Sequence, residues 1–279
     1  MKFWNNFDYN NICWWCGVKA TTREHIFKKT DFELIFGKSN YQKGNEPVVT
    51  REGYYENRII QSSDSKLIKF EHNLCQECNT SKSQNYDVSY SIFINYLFKK
   101  LPKLLSKPEI NLDLVFESDW QIHKKNILAY IVKHICCRLA KSKIKIPQEY
   151  LNYLNGKDKL EKIFIKPGIS STLYKNLQDM RENNEGQGFI IMATLNEYND
   201  DIGKYFFSSY LFNCINFFYL LCPTITTVNY KNIDRYNESK ILHFEHYEID
   251  NIENNSPKSV LINESNLRTK HFRKLMNLT

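Results

Sequence analysis

Four cysteines arranged as two CxxC pairs carry the clearest chemistry of this chain. Cys13 and Cys16 stand in CWWCG, and Cys75 and Cys78 stand in LCQECNTSK. Each CxxC turn puts two sulfurs within reach of one ion, so the two pairs predict a tetrahedral Zn²⁺ site with bonds of about 2.3 Å. Gly17, directly after the first pair, suits the tight turn of a zinc knuckle.

The first pair also permits a redox interpretation, in which Cys13 and Cys16 form a thioredoxin-like dithiol. That fold places its CxxC at a strand-to-helix turn of a βαβ unit, and no parallel strand is indicated before this pair. The spacing therefore favours zinc, with a thiol oxidoreductase as the alternative class. The remaining cysteines lie in apolar segments without metal-ligand spacing, and we expect plain core residues at Cys136, Cys137, Cys214 and Cys222.

Three further residues near these pairs could perform hydrolysis: Glu24, His25 and Asn79. Cleaving a phosphodiester requires a water made nucleophilic and an ion that stabilises charge on the phosphate and the leaving oxygen. An imidazole, with an ordinary pKa near 6.5, can take the proton of that water at neutral pH. A carboxylate and an amide oxygen suit a hard Mg²⁺ or Mn²⁺ ion. The residues thus indicate two metals, one architectural and one catalytic.

In combination, CWWCG, TREHI and LCQECNTSK resemble the HNH endonuclease family over roughly residues 10 to 90. The resemblance implies an N-terminal ββα-metal domain, treble-clef-like and bound to zinc through a zinc knuckle. It implies that His25 is the general base, that Glu24 and Asn79 hold the catalytic ion, and that Lys82 contacts phosphate.

This chain departs from the family pattern at two places. Glu24 stands where the family usually has Asp. Phe70 and Glu71 stand where the central Asn of the family is expected, and Asn73 is the nearest asparagine.

The charge of the chain indicates a polyanionic partner. The formal net charge is +7, and the segment from Trp120 to Gln148 contains seven Lys and Arg residues and no acidic residue. Lysine and arginine bind nucleic acid by releasing its counterions. We therefore expect Lys133, Arg138 and Lys141 to form a backbone-binding face, with Arg23 as a further phosphate contact.

The surrounding pattern predicts an α+β fold in two domains. A helix is expected from about Glu77 to the break at Pro102, and KKLPKLLSKP marks the boundary between an HNH domain, 1–103, and a mixed helical and β domain, 104–279. In the second part we expect an apolar helix face over Ile127, Leu128, Ile131, Ile135 and Leu139, helices over Pro147–Asn155 and Ser170–Asn184, and β-structure after Gly188. Ser170 is the expected N-cap.

No membrane segment is expected. The start MKFWNNFDYNN lacks the apolar run of a secretory peptide, and we expect a cytoplasmic protein with reduced cysteines. Phe206–Cys222 is too short and too polar for a transmembrane helix, so one or two buried strands are predicted there.

These observations predict a metal-dependent HNH endonuclease with structural Zn²⁺ and catalytic Mg²⁺ or Mn²⁺, acting on nucleic acid, with DNA favoured. By family analogy, bacterial or phage defence is a fitting setting. Residues 104–279 are expected to serve recognition or regulation, including contact with a protein partner. The alternative is a non-catalytic zinc-ribbon module that binds nucleic acid or protein.

Overall fold

A computed structural model describes residues 6–38, 41, 49–50, 58–157, 160, 163–183, 188–193, 195–200, 203–221 and 239–247 of the chain. Helices and antiparallel strands are both well represented, so the α+β class is confirmed. Cys222 and the basic tail at 267–274 lie outside the described residues.

The chain forms two compact units. The first contains Met1–Lys100 and Leu112–Leu160, and the second contains Leu101–Asn111 and Glu161–Thr279. The boundary predicted after residue 103 had placed 112–160 in the C-terminal part. Residues 112–160 join the first unit instead because their long helix is buried there, with His134 bonded to the backbone oxygen of Ile26 at 2.9 Å.

The first unit is mainly helical. Two very short antiparallel strands, β1 and β2, follow the first helix. The predicted stop at Pro102 is not the end of its helix, which continues to Ser106; a proline near a helix end removes only one backbone hydrogen bond. The elements are α1 Lys29–Phe36, β1 Val49–Thr50, β2 Arg58–Ile59, α2 Gln76–Asn79, α3 Gln84–Ser106, α4 Asp113–Phe116, α5 Trp120–Lys141 and α6 Gln148–Leu154, with α3 contributing residues to both units.

An irregular antiparallel ladder joins residues 20–26 to residues 68–74. Isolated bridges pair Thr22 with Leu74 and His25 with Lys69. The backbone hydrogen bonds of the ladder run from Thr22 to Leu74, from Ile26 to Ile68 and from Phe70 to Glu24, at 2.8–2.9 Å. The ladder leads directly into the second CxxC pair and helix α2, so two extended segments and a helix come together around the cysteines.

Helix α5 is buried on all sides from Ile127 to Ala140. The apolar residues predicted for one face are buried, but the opposite face is buried as well. On that face Lys133 forms an ion pair with Glu24, and His134 bonds to the backbone oxygen of Ile26, both in the ladder.

The elements of the second unit are β3 Glu109–Asn111, β4 Ile163–Ile169, α7 Ser171–Glu182, β5 Ile190–Met192, β6 Asn196–Asp200, β7 Gly203–Phe212, β8 Ile215–Leu221, β9 Ile241–His243 and β10 Glu245–His246. The unit is built on a mainly antiparallel sheet with the order β10-β4-β8-β7-β5, in which β6 also pairs with β7 and β10 runs parallel to β4. A separate antiparallel pair joins β3 to β9.

Two local predictions in the second unit are confirmed. The apolar stretch from Phe206 forms the hairpin strands β7 and β8, with Phe212 opposite Ile215. Ser170 is the N-cap of α7, since its Oγ accepts the backbone N–H of Leu173 at 3.1 Å. Within the described parts of the chain, no helix has the length and apolar character needed to cross a membrane.

Candidate functional site

The two CxxC pairs meet in one cluster. The sulfurs of Cys13, Cys16, Cys75 and Cys78 all lie within 4.8 Å of one another, and the Cys16 and Cys75 sulfurs are 3.6 Å apart. A disulfide would require about 2.05 Å. Sulfurs around a tetrahedral ion with 2.3 Å bonds lie about 3.8 Å apart. The four thiols can therefore hold a metal ion, and their geometry is compatible with structural zinc.

Local backbone geometry shapes both turns of the cluster. Gly17 donates its N–H to the Cys13 carbonyl at 2.8 Å and has a φ of 81°, in the left-handed region that glycine tolerates best. In the second turn the N–H of Cys78 points at the Cys75 sulfur, 3.5 Å away. An N–H directed at a sulfur favours the negative charge of a thiolate, which is the form that binds metal.

The cysteines predicted to be core residues are buried free thiols where the structure describes them: Cys136, Cys137 and Cys214. Burial raises the pKa of Cys214 to about 12. These thiols are neutral and inert at physiological pH, and they are separate from the four-cysteine cluster.

Glu24 lies at the centre of the ladder and is 7% exposed. Its Oε1 accepts the backbone N–H of the next residue, His25, at 3.1 Å. Its Oε2 forms an ion pair with Lys133 of helix α5 at 2.7 Å. Glu24 is the carboxylate expected to bind a catalytic ion, and both of its oxygens already contact polar groups of the protein.

Lys133 is 1% exposed, and all three of its N–H donors have partners. Besides Glu24, its Nζ lies 3.1 Å from Asp87 Oδ2 and 3.0 Å from Ser83 Oγ. Burial alone would lower the pKa of Lys133, but the charges of Glu24 and Asp87 outweigh that effect and raise the pKa to about 12. The buried side chain is an ammonium ion.

A second lysine completes the charge balance. Lys28 Nζ lies 2.5 Å from the other carboxylate oxygen of Asp87 and 4.6 Å from the ring centroid of Tyr130. Burial raises the pKa of Asp87, but the two lysines lower it more, so the net pKa is below its ordinary value. In the sequence, Asp87 is one of several polar residues at the start of a helix. Sequence reasoning missed its role because both lysine partners are distant in the chain.

The basic residues expected to form a surface on α5 are mostly buried, which corrects the expectation for Lys133 and Arg138. Lys133 and Arg138 are both enclosed by protein, and burial lowers the pKa of Arg138 to about 9. Neither side chain faces solvent, where a nucleic-acid backbone would lie. Lys141, at the end of the helix, is exposed, as is Lys82, while Arg23 is partly exposed. Phosphate contact stays a prediction for these three residues.

His25 is adjacent to Glu24 and partly buried. Its Nε2 lies 3.7 Å from Asp64 Oδ1, beyond hydrogen-bond distance, and Asp64 is also paired with Lys29 at 2.7 Å and Lys69 at 3.5 Å. Burial lowers the pKa of His25, the charge of Lys69 adds to this, and the opposing charges of Glu24 and Asp64 do not cancel it. The imidazole is therefore neutral at pH 7, as a general base must be.

Asn79 ends helix α2 one residue after Cys78. Its Oδ1 is buried and has no hydrogen-bond partner among the described residues, and the same holds for His25 Nε2. The backbone carbonyl oxygen of Asn79 accepts a hydrogen bond from the Ser83 hydroxyl at 3.1 Å, and the same hydroxyl oxygen accepts one from Lys133. Glu24 and Asn79 are thus connected through Lys133 and Ser83.

Asn73, the asparagine nearest to the position expected for the central Asn of the family, is buried against helix α5. Its side chain lies beside the Cys137 thiol, and its carbonyl oxygen accepts the N–H of Trp14 at 3.1 Å. At the position expected for the family asparagine, Phe70 donates its N–H to the Glu24 carbonyl and packs its ring against His134. Backbone pairing and aromatic packing thus hold the Glu24 strand at this point.

The four-cysteine cluster is the one group of three or more His, Cys, Asp or Glu ligand atoms gathered this closely in the described part of the chain. No protein-family model, curated protein or solved structure matches this chain. The function must be argued from the chemistry of the site.

Proposed function

We propose that this chain is a metal-dependent endonuclease of the HNH type that hydrolyses phosphodiester bonds, with DNA as the favoured substrate. One observation carries the proposal: two buried polar atoms, His25 Nε2 and Asn79 Oδ1, lack a hydrogen-bond partner among the described residues, and in sequence His25 follows the first CxxC pair and Asn79 directly follows the second. Leaving such an atom unsatisfied costs about 1–3 kcal/mol, so it is expected where a ligand or ion completes the site.

The roles follow from the chemistry of each side chain. His25, neutral at pH 7, takes the proton from the attacking water. The oxygens of Glu24 and Asn79 would hold Mg²⁺ or Mn²⁺, which when bound stabilises negative charge on the phosphate and the leaving oxygen. The four cysteines would hold Zn²⁺ and so fix the ladder that carries His25 next to the helix that carries Asn79.

Substrate contact is assigned to two basic residues that are close to this site in sequence and at least partly exposed. Arg23 directly precedes Glu24, and Lys82 follows Asn79 by three positions. With Lys141 they contribute to a chain of net charge +7, which favours a polyanion. DNA, RNA, duplex and single strand share this phosphate chemistry, and cleavage assays on each distinguish them.

The test is cleavage of supercoiled plasmid by zinc-loaded protein with Mg²⁺, Mn²⁺ or EDTA. His25→Ala is compared with His72→Ala, a matched control because His72 is exposed on the facing segment. We expect ion-dependent cleavage that falls by about 10²-fold or more in His25→Ala, the usual contribution of a general base, and is retained in His72→Ala. Equal cleavage by His25→Ala would disprove the mechanism. Salt-sensitive binding without cleavage under any ion would favour the non-catalytic zinc-ribbon alternative.

A further inference from the structure

The ammonium group of Lys133 lies among three oxygen atoms. These are Glu24 Oε2 at 2.7 Å, Ser83 Oγ at 3.0 Å and Asp87 Oδ2 at 3.1 Å. Two carboxylate oxygens and a hydroxyl oxygen are also the donor types that a hard divalent cation binds. A lysine from helix α5, outside the segment that resembles a nuclease, therefore already neutralises the carboxylate assigned to the catalytic ion.

We infer that Lys133 is a resident cation that competes with the divalent ion for Glu24 and so sets how tightly this site binds Mg²⁺ or Mn²⁺. The inference rests on the proposed function, because it concerns the ion of that site. It makes Lys133 a positioning residue that acts through Glu24, not a residue that contacts substrate.

Lys133 cannot easily leave its position. Its side chain is 1% exposed, and each of its three donors has an oxygen partner, two of them charged. Moving it away would leave the buried Glu24 without its cation and the partly buried Asp87 with one cation fewer, which is costly where water screens charge poorly.

The Glu24 carboxylate can still accept an ion, but against an opposing charge. Each carboxylate oxygen has two lone pairs, and one on each is used by Lys133 or by the His25 N–H. An ion bound to the remaining lone pairs would lie within a few ångströms of the ammonium group, where repulsion is only weakly screened by water. Removing the charge of Lys133 should therefore tighten ion binding.

The experiment measures Mn²⁺ binding to zinc-loaded protein without nucleic acid, from the EPR signal of unbound Mn²⁺. Lys133→Met removes the charge and keeps the side-chain volume, and Lys133→Gln removes it while keeping a hydrogen-bond donor. Lys125→Met is the matched control, because Lys125 is an exposed lysine on the same helix. Zinc content and circular dichroism report whether each variant folds.

We expect at least tenfold tighter Mn²⁺ binding in a folded Lys133 variant, no change in Lys125→Met, and loss of the gain when Glu24→Gln is added to Lys133→Met. Unchanged or weaker binding in a folded Lys133 variant would overturn the inference. Failure of both Lys133 variants to fold would also overturn it, because Lys133 would then be an anchor required by the fold. The readout needs no catalysis, so tighter binding without cleavage by any variant would refute the nuclease proposal alone.

Discussion

Lys133 Nζ lies 2.7 Å from Glu24 Oε2, so the middle of helix α5 neutralises the residue next to the proposed general base. Burying two charges costs desolvation energy that their attraction only partly offsets. What such a pair can supply is specificity, because a shifted helix α5 would leave Glu24 and Lys133 buried without each other. The pair joins two parts of one compact unit, which contains both Met1–Lys100 and Leu112–Leu160.

The first prediction compares Asp87→Asn with Asp64→Asn. Each aspartate pairs with two lysines, but the side chain of Asp87 is 28% exposed and that of Asp64 is 56% exposed. Asp87→Asn removes a partner of Lys133, whose side chain is 1% exposed, and of Lys28, whose side chain is 12% exposed, and should cost about 3 kcal/mol of unfolding free energy. Asp64→Asn should cost less than about 1 kcal/mol because solvent screens its pairs. Urea unfolding at pH 7 measures both, and equal costs would show that burial does not control these ion pairs.

The two CxxC turns and the Ser170 cap were predictable because short-range geometry defines them, and the meeting of the two turns followed from the four ligands that a zinc ion needs. A CxxC turn fixes two sulfurs by its own backbone, and an N-cap bonds to the residue three positions later. The hairpin of β7 and β8 was predictable for a similar reason, since aromatic and β-branched residues fill both segments.

The burial of Lys133 and Arg138 was not predictable in the same way. A helix with charges opposite its apolar face normally turns those charges to water, and periodicity does not show when partners are available inside. The partners of Lys133, Glu24 and Asp87, are distant in sequence. The same reasoning explains why the sequence does not indicate that residues 112–160 group with the first unit: their contacts with the ladder are tertiary.

The second prediction concerns the four-cysteine cluster. Cys78→Ser should reduce bound zinc well below one ion per chain and destabilise the first unit strongly, because structural zinc contributes about 10–16 kcal/mol of apparent binding free energy in small zinc domains. Cys78 is 0% exposed and its sulfur belongs to the cluster. Cys214→Ala, also at a buried cysteine but outside the cluster, should keep its zinc. Elemental analysis and thermal melting provide the measurements, and full zinc content in Cys78→Ser would contradict a four-cysteine site.

The third prediction separates activity from stability at Asn79. Its Oδ1 makes no hydrogen bond within the described chain, so Asn79→Ala should change the unfolding free energy by no more than about 1 kcal/mol. If the amide oxygen holds an ion or water during hydrolysis, the same variant should lose most of its cleavage activity. Asn95→Ala serves as control, because Asn95 donates to the Ser91 carbonyl within helix α3. A large stability loss with unchanged specific activity would assign Asn79 a purely structural role.

The fourth prediction is a pH dependence of stability at His134. Burial lowers the pKa of His134 to about 3, with the charge of Arg138 adding to this, while its Nε2 bonds to the Ile26 carbonyl. The folded protein therefore keeps this imidazole neutral, whereas the unfolded chain protonates it below its ordinary pKa of about 6.5. The stability contribution is fully present above pH 6.5 and is lost as the pH falls towards 3, by about 2 kcal/mol between pH 6.5 and pH 5.

His134→Gln removes the titrating group and keeps an amide N–H that can donate to Ile26. Its unfolding free energy should be lower than that of the wild type at pH 7, because the packing of the ring against Phe70 is lost. The difference in unfolding free energy between the two proteins should shrink as the pH falls to 5. Only the wild type loses stability in this range, because its His134 becomes protonated in the unfolded chain but stays neutral in the folded protein. Urea unfolding of both proteins at half-unit pH intervals measures this convergence. His72→Gln, at an exposed histidine, should follow the wild type throughout. A constant difference between His134→Gln and the wild type from pH 7 to pH 5 would mean that His134 becomes protonated in the folded protein as readily as in the unfolded chain.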